Sequence, residues 1–271
     1  MQRLLKFSPT RRAQVKGIFG GARPGGALPG PEARGAGCAF YPPTSVILLY
    51  PPEKGNAQSG RRMAEILKAD ADRFSFVVHY SARLIRAGKV VAVPTDTLYG
   101  LAADPFNLAA VSEISRIKQR TVDRPIPLLV ASLEQAVELT VYPPDLLAEL
   151  AKRFWPGPLT VVVPASQQIP LRITAQTGKL GLRWPRAPLV EALIAATGRP
   201  ITGTSANLTD HLPCTTAEEV DQQIGDTLPL IVDGGPTPVG VASTVVELLG
   251  ERIRLLRPGG IPESQLEEFL I

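Results

Sequence analysis

Lys89-Val90-Val91-Ala92-Val93-Pro94-Thr95-Asp96-Thr97-Leu98-Tyr99-Gly100-Leu101 is the stretch on which the reading of this chain turns. A short apolar run rich in β-branched residues predicts a buried strand. Pro94 closes it, so the hydroxyls of Thr95 and Thr97 and the carboxylate of Asp96 arrive at its carboxyl end. In open α/β sheets that is the end at which ligands bind. Further along, Lys118-Gln119-Arg120 terminates a helical pattern. Hydroxyls at a strand tip with a Lys-x-Arg nearby suit an anionic, phosphorylated ligand, because ammonium and guanidinium groups give it charge-assisted hydrogen bonds.

Working outward, residues 81–87 read as a helix with Leu84 and Ile85 inward and Gly88 as its stop, giving a βαβ-like alternation with the organising strand. Val111, Ile114 and Ile117 fall at helical spacing within 108–118, so Lys118 and Arg120 lie at a helix end. Residues 124–130 predict a loop entering a strand, and 133–139 and 144–153 predict helices. Phe154-Trp155-Pro156-Gly157-Pro158 breaks the chain before a buried strand at 159–163. Next come a short strand at 180–185, a helix at 188–197, and a strand over 200–207 that ends in small and hydroxylated residues. A helix at 217–224 and a strand at 230–236 precede two hairpin arms, 243–248 and 253–259, around Gly250. A short helix at 263–270 closes the chain. No repeat interrupts 63–271, which reads as one α/β domain with a twisted mixed sheet and helices on its faces.

A chain of 271 residues with 44% hydrophobic content can bury a sizeable core. No apolar run approaches the ~18 residues of a membrane span, so no membrane partner is expected. Two cysteines far apart, Cys38 and Cys214, indicate neither a disulfide framework nor a Cys-rich metal site, and two histidines cannot build a His cluster. The net charge of +4 is unevenly distributed. Residues 1–62 carry ten Lys/Arg against Glu32 and Glu53, leaving 19 basic and 23 acidic residues in 63–271. A net acidic domain argues against general nucleic-acid binding. The first 62 residues also hold ten Gly and eight Pro without sustained period, which predicts a disordered extension. Two readings of it fit: an Arg-rich, acid-poor mitochondrial transit segment, or upstream sequence ahead of a start at Met63. Its poverty in Ser and its Gly/Pro density favour the second, with a cytoplasmic protein as the consequence.

Taken singly, most of the motifs have ordinary readings. Thr, Asp and Gly after Pro94 serve turns, Lys118-x-Arg120 suits a solvated helix end, and Ser205-Ala206-Asn207 resembles an N-cap. Arg183 between Leu182 and Trp184 is sharper, since an arginine flanked by apolar strand residues needs an anionic partner. The glycines lack the G-x-G-x-x-G and G-x-x-x-x-G-K-[ST] spacings of dinucleotide and P-loop sites.

In order, however, Pro-Thr-x-Thr-x-Tyr-Gly-Leu, Lys-x-Arg, Pro-Gly-Pro-Leu-Thr, Ser-Ala-Asn, Asp-Gly-Gly, Ser-Thr-Val-Val and Leu-Arg-Pro-Gly resemble the YrdC/Sua5 family of threonylcarbamoyl-AMP synthases, from about Phe76 to Pro262. The resemblance implies a YrdC-like fold around a concave, positively lined cavity, and a nucleotidyltransferase that joins L-threonine, bicarbonate (or CO2) and ATP into threonylcarbamoyl-adenylate and pyrophosphate. A downstream tRNA threonylcarbamoyltransferase would pass the group to adenosine 37 of tRNA, so tRNA is an indirect partner. Carried over by position, Thr97 and Ser243 would contact L-threonine and Arg183 its carboxylate. Arg120, Arg124, Ser205 and Arg257 would contact ATP, Asn207 would support that corner, and Lys118 and Arg120 would serve the chemistry from the cavity mouth. Mg²⁺ would ride with ATP on phosphates and water rather than on protein side chains. Thr121 stands where the family often has Pro, and Leu129 where some members have a threonine-contacting His. Two other readings are a non-catalytic RNA-binding or ribosome-associated module of this fold and a carbamoyl-adenylate-handling domain.

Overall fold

A computed structural model describes residues 64–121, 124–141 and 145–271. The expected extension over 1–62 lies outside the described residues, as does the expected first residue of the domain, Met63.

The opening stretch forms β2 (Val91–Pro94), and its apolar residues are buried on both faces. Val91 and Val93 join one core cluster while Val90 and Ala92 join another, which is why the run is continuously apolar rather than alternating. The chain does not leave the sheet after Pro94, as the proline suggested. Thr95 Oγ1 accepts from the amides of Thr97 (3.1 Å) and Leu98 (3.2 Å) and donates to the Leu98 carbonyl (2.7 Å), and this tight turn returns the chain antiparallel as β3 (Tyr99–Ala102). β2 is thus half of a hairpin, with the hydroxyls and Asp96 at its tip.

Eleven strands divide between two sheets among the described residues. The first has the order β1 (Glu65–Lys68), β9 (Leu230–Asp233), β2, β3, β8 (Thr204–Ser205). The second has the order β11 (Arg252–Arg257), β10 (Thr244–Leu249), β5 (Leu159–Pro164), β6 (Lys179–Arg183), β4 (Leu128–Leu129), β7 (Ile201–Thr202). Each mixes parallel with antiparallel pairs, so the mixed α/β class holds. Strand β1 was not expected: Glu-Ile-Leu-Lys is largely exposed and gains its place by parallel pairing with β9.

The single strand expected over 200–207 is two. β7 pairs with β4 in the second sheet and β8 with β3 in the first, and the chain crosses between sheets at Gly203. A Cβ on Gly203 would lie 2.6 Å from Leu129 Cγ, so only glycine lets the backbone pass this close. This crossing stitches the two sheets together beside the cavity described below.

Helix α1 (Phe74–Arg86) begins earlier than expected, because Val77, Val78, Ser81, Ala82 and Ile85 form one buried stripe. It packs with α5 (Pro188–Thr197) against the Val91/Val93 face of the first sheet. Helix α2 (Leu108–Ile117) starts at Asn107, whose side chain accepts from the amides of Ala109 and Ala110, and ends with Lys118 as its cap. With α3 (Leu133–Glu138), α4 (Asp145–Phe154) and α6 (Ala217–Ile224) it covers the larger core. Residues 263–270, expected as a helix, form two 3-10 turns, Glu263–Gln265 and Glu267–Phe269. No helix among the described residues is long and apolar enough to cross a membrane.

Candidate functional site

A cavity of about 610 Å³ opens between the two sheets. Its floor is one face of the second sheet. Lys179, Gly181 and Arg183 alternate along β6 and so project the same way, flanked by Thr160 and Val162 of β5. The hairpin tip of β2 and β3 contributes Thr95 and Thr97, the end of α2 Lys118 and Arg120, and the segment after β8 Asn207 and Thr209. All nine residues expected at the site line this one cavity: Thr97, Lys118, Arg120, Arg124, Arg183, Ser205, Asn207, Ser243 and Arg257.

Lys118 is not at the mouth. It is 4% exposed, and its Nζ donates to the carbonyls of Ser205 (2.6 Å) and Asn207 (2.8 Å) and to Asn207 Oδ1 (3.2 Å). Its own carbonyl accepts from Thr209 Oγ1 (2.8 Å), so residues 205–209 wrap around it. Burial, then the neighbouring Arg120 charge, pushes the ammonium down to about 8. Asn207 is likewise occupied. Its amide donates to the carbonyls of Leu208 and His211, both at 2.8 Å, and its Oδ1 accepts from Ser205 Oγ at 2.6 Å. That makes Asn207 a scaffold of the corner, while the Ser205 hydroxyl oxygen accepts only a long contact from Lys118 Nζ at 3.5 Å.

Arg120 is the contrast. Its Nε and Nη2 are buried with no hydrogen-bond partner, and burial, then repulsion from Arg124, lowers its pKa. A buried guanidinium without an acceptor is costly unless a ligand supplies one. Arg257 donates from Nη2 to the Ser243 carbonyl (2.8 Å) and hydroxyl (3.2 Å), and Ser243 Oγ lies 2.8 Å from Thr160 Oγ1. The anionic partner expected for Arg183 lies inside the protein. Nη2 donates to Asp96 Oδ1, Nη1 to Thr97 Oγ1 (2.7 Å) and Nε to the Gly157 carbonyl (3.1 Å).

Six cationic side chains line the cavity, counting Lys179, against one lining carboxylate, Asp210. Lys179 pairs with the buried Glu247 of β10 and Arg183 with Asp96, so the surplus positive charge rests on Lys118, Arg120, Arg124 and Arg257. Such a surplus, held in place at a cost, suits anionic groups electrostatically. Sequence reading missed Thr160, Lys179 and Asp96. Lys179 was accessible from the period-two spacing to Arg183, and Asp96 stood in the opening stretch without a role. Leu129 lines the cavity and packs on Gly203, and Thr121 is exposed.

Fold and cavity together define a two-sheet mixed α/β domain with a cation-lined cavity. The family model Sua5_yciO_yrdC, described as "Telomere recombination", matches residues 83–259, and the chain belongs to that family. It is 39% identical over 193 residues to the threonylcarbamoyl-AMP synthase of Pyrococcus abyssi, covering 71% of this chain and 57% of that protein. To the threonylcarbamoyl-AMP synthase of Bacillus subtilis it is 42% identical over 191 residues, covering 70% and 55%. The chain thus spans a little over half the length of these curated relatives. Among solved structures, P. abyssi Sua5 complexed with L-threonine matches with a TM-score of 0.71 at 37% identity, over 76% of this chain and 60% of that one.

Proposed function

We propose that this chain forms threonylcarbamoyl-adenylate and pyrophosphate from L-threonine, bicarbonate (or CO2) and ATP, for the threonylcarbamoyl modification of tRNA by a downstream transferase. The observation that carries the reading is the pair of buried, partnerless guanidinium nitrogens of Arg120, Nε and Nη2, beside Lys118 in a cavity whose other half is rich in hydroxyls. Support comes from the names of the relatives and from the L-threonine complex of a structure alike over most of this chain.

The division of labour follows from the chemistry. Threonine's neutral amine attacks the carbon of bicarbonate with loss of water, or of CO2 with loss of a proton, and the resulting carbamate oxygen attacks the α-phosphorus of ATP, expelling pyrophosphate. Neither step needs a protein nucleophile. Both need several anions held together against repulsion, which preorganised cations supply. Arg120, Arg124 and Lys118 would hold the triphosphate, with Ser205 and Arg257 at its edges and Asn207 bracing the corner. Thr97, Arg183 and Ser243 would hold threonine. Mg²⁺ would ride with ATP, largely on phosphates and water.

Pyrophosphate release from ATP, measured with each substrate omitted in turn, tests the reading. Release that requires both L-threonine and bicarbonate is the expected result. Equal release without threonine would replace it with simple hydrolysis of ATP at the α-phosphorus, and no release under any condition with a binding role.

A further inference from the structure

Asp96 stands behind the cavity wall without lining it. It is 5% exposed, and its Oδ1 accepts from Nη2 of Arg183, itself 6% exposed. Asp96 comes from the hairpin tip of the first sheet and Arg183 from β6 of the second, so the pair joins the two sheets at the cavity. The Asp96 carbonyl also accepts from Val239 N at 3.1 Å, which ties down the segment running into Ser243. Arg183 is therefore held at all three nitrogens: by Asp96, by Thr97 and by the Gly157 carbonyl. Arg257 lies close enough for its charge to act on Arg183.

We propose that Asp96 is the positioning residue of the amino-acid subsite: it orients the Arg183 guanidinium, and through it Thr97, so that one carboxylate fits the remaining donors. The proposal rests on the reading of Thr97, Arg183 and Ser243 as that subsite. Without Asp96 a buried arginine beside Arg257 would have no counter-charge before substrate arrives, and its guanidinium would turn toward other acceptors. With Asp96 the orientation is set during folding, so binding does not bear that cost. Asp96 itself touches no substrate.

The test is a double-mutant cycle of Asp96→Asn and Arg183→Lys, read by pyrophosphate release with threonine and ATP varied separately. Asp96→Asn should raise the KM for threonine at least tenfold and leave the KM for ATP within twofold. Added to Arg183→Lys, it should change the threonine KM less than twofold further, since its effect passes through the same guanidinium. A purely structural role would lower the melting temperature and move both KM values together, and that outcome overturns the proposal, as does full additivity. Where Asp96→Asn does not fold, Asp96→Glu, which keeps the charge but shifts it by one methylene, must show the same split. Wild-type protein lacking threonine-dependent release would overturn the functional reading and the subsite with it. A working wild type with an unsplit variant would overturn only the role of Asp96.

Discussion

Replacing Arg120 with methionine should make the protein more stable and less able to use ATP. Methionine keeps the apolar stem but removes Nε and Nη2, two buried donors without partners, and one of the charges that repel Lys118. A buried polar group left unsatisfied costs about 1–3 kcal/mol. In a domain of this size 1 kcal/mol moves Tm by about 2–4 °C, so ligand-free Arg120→Met should melt roughly 2–12 °C above wild type. The same change deletes a charge-assisted contact worth ~1.5–3 kcal/mol to a phosphate, which lowers kcat/KM for ATP by roughly ten- to a hundredfold. Differential scanning calorimetry without ligand and steady-state pyrophosphate release measure the two effects on one sample. A lower Tm with undiminished activity would show that Arg120 serves the fold rather than an anion, and would remove the main support for the functional reading.

Lys118→Met should cost both activity and stability, because it strands the Ser205 and Asn207 carbonyls that its ammonium bridges; a Tm equal to wild type would contradict that bridge. Since Lys118 titrates near 8 when folded against 10.5 in the free side chain, the unfolded chain holds more protons between those values. This group's contribution to stability therefore increases as pH rises from about 8 to 10.5, while pyrophosphate affinity, measured by calorimetry, should weaken over the same rise. Gly259→Ala would bring a Cβ within 2.5 Å of Ser243 C and Thr244 N, so the segment carrying Ser243 must shift, and the KM for threonine should rise several-fold; an unchanged value would detach Ser243 from the amino-acid subsite. L-valine, which loses the hydroxyl, should be a poorer substrate than L-serine, which loses only a methyl worth ~1–3 kcal/mol; a valine rate at or above that of serine would mean that the hydroxyl is not read.

Helices α5 and α6 were legible to the residue because their ends are written locally. Pro188 sits in the first turn of α5 and Gly198 follows it with φ +70°, while Thr216 and Glu219 form a reciprocal capping box at the start of α6. Strand β1 and the split at Gly203 were not, since each exists only through partners distant in sequence: β9 in one case, β3 and β4 in the other. The site divides in the same way. Five of its six cations, Lys118, Arg120, Arg124, Arg183 and Arg257, were readable as residue types, and the cavity gathers them with Lys179, which was not. Their states were not readable. A lysine capping a helix is ordinarily solvated, and here the loop 205–209 folds over Lys118; nothing local in the sequence pairs Arg183 with Asp96, which the meeting of two sheets brings about.

The most direct measurement of the central claim is the mass of the adenylate made from ATP, L-threonine and carbon-13 bicarbonate. An AMP conjugate that contains threonine and one labelled carbon, formed together with pyrophosphate, is the expected product. An AMP–threonine conjugate without the label, or no conjugate while the protein still binds ATP, would contradict it.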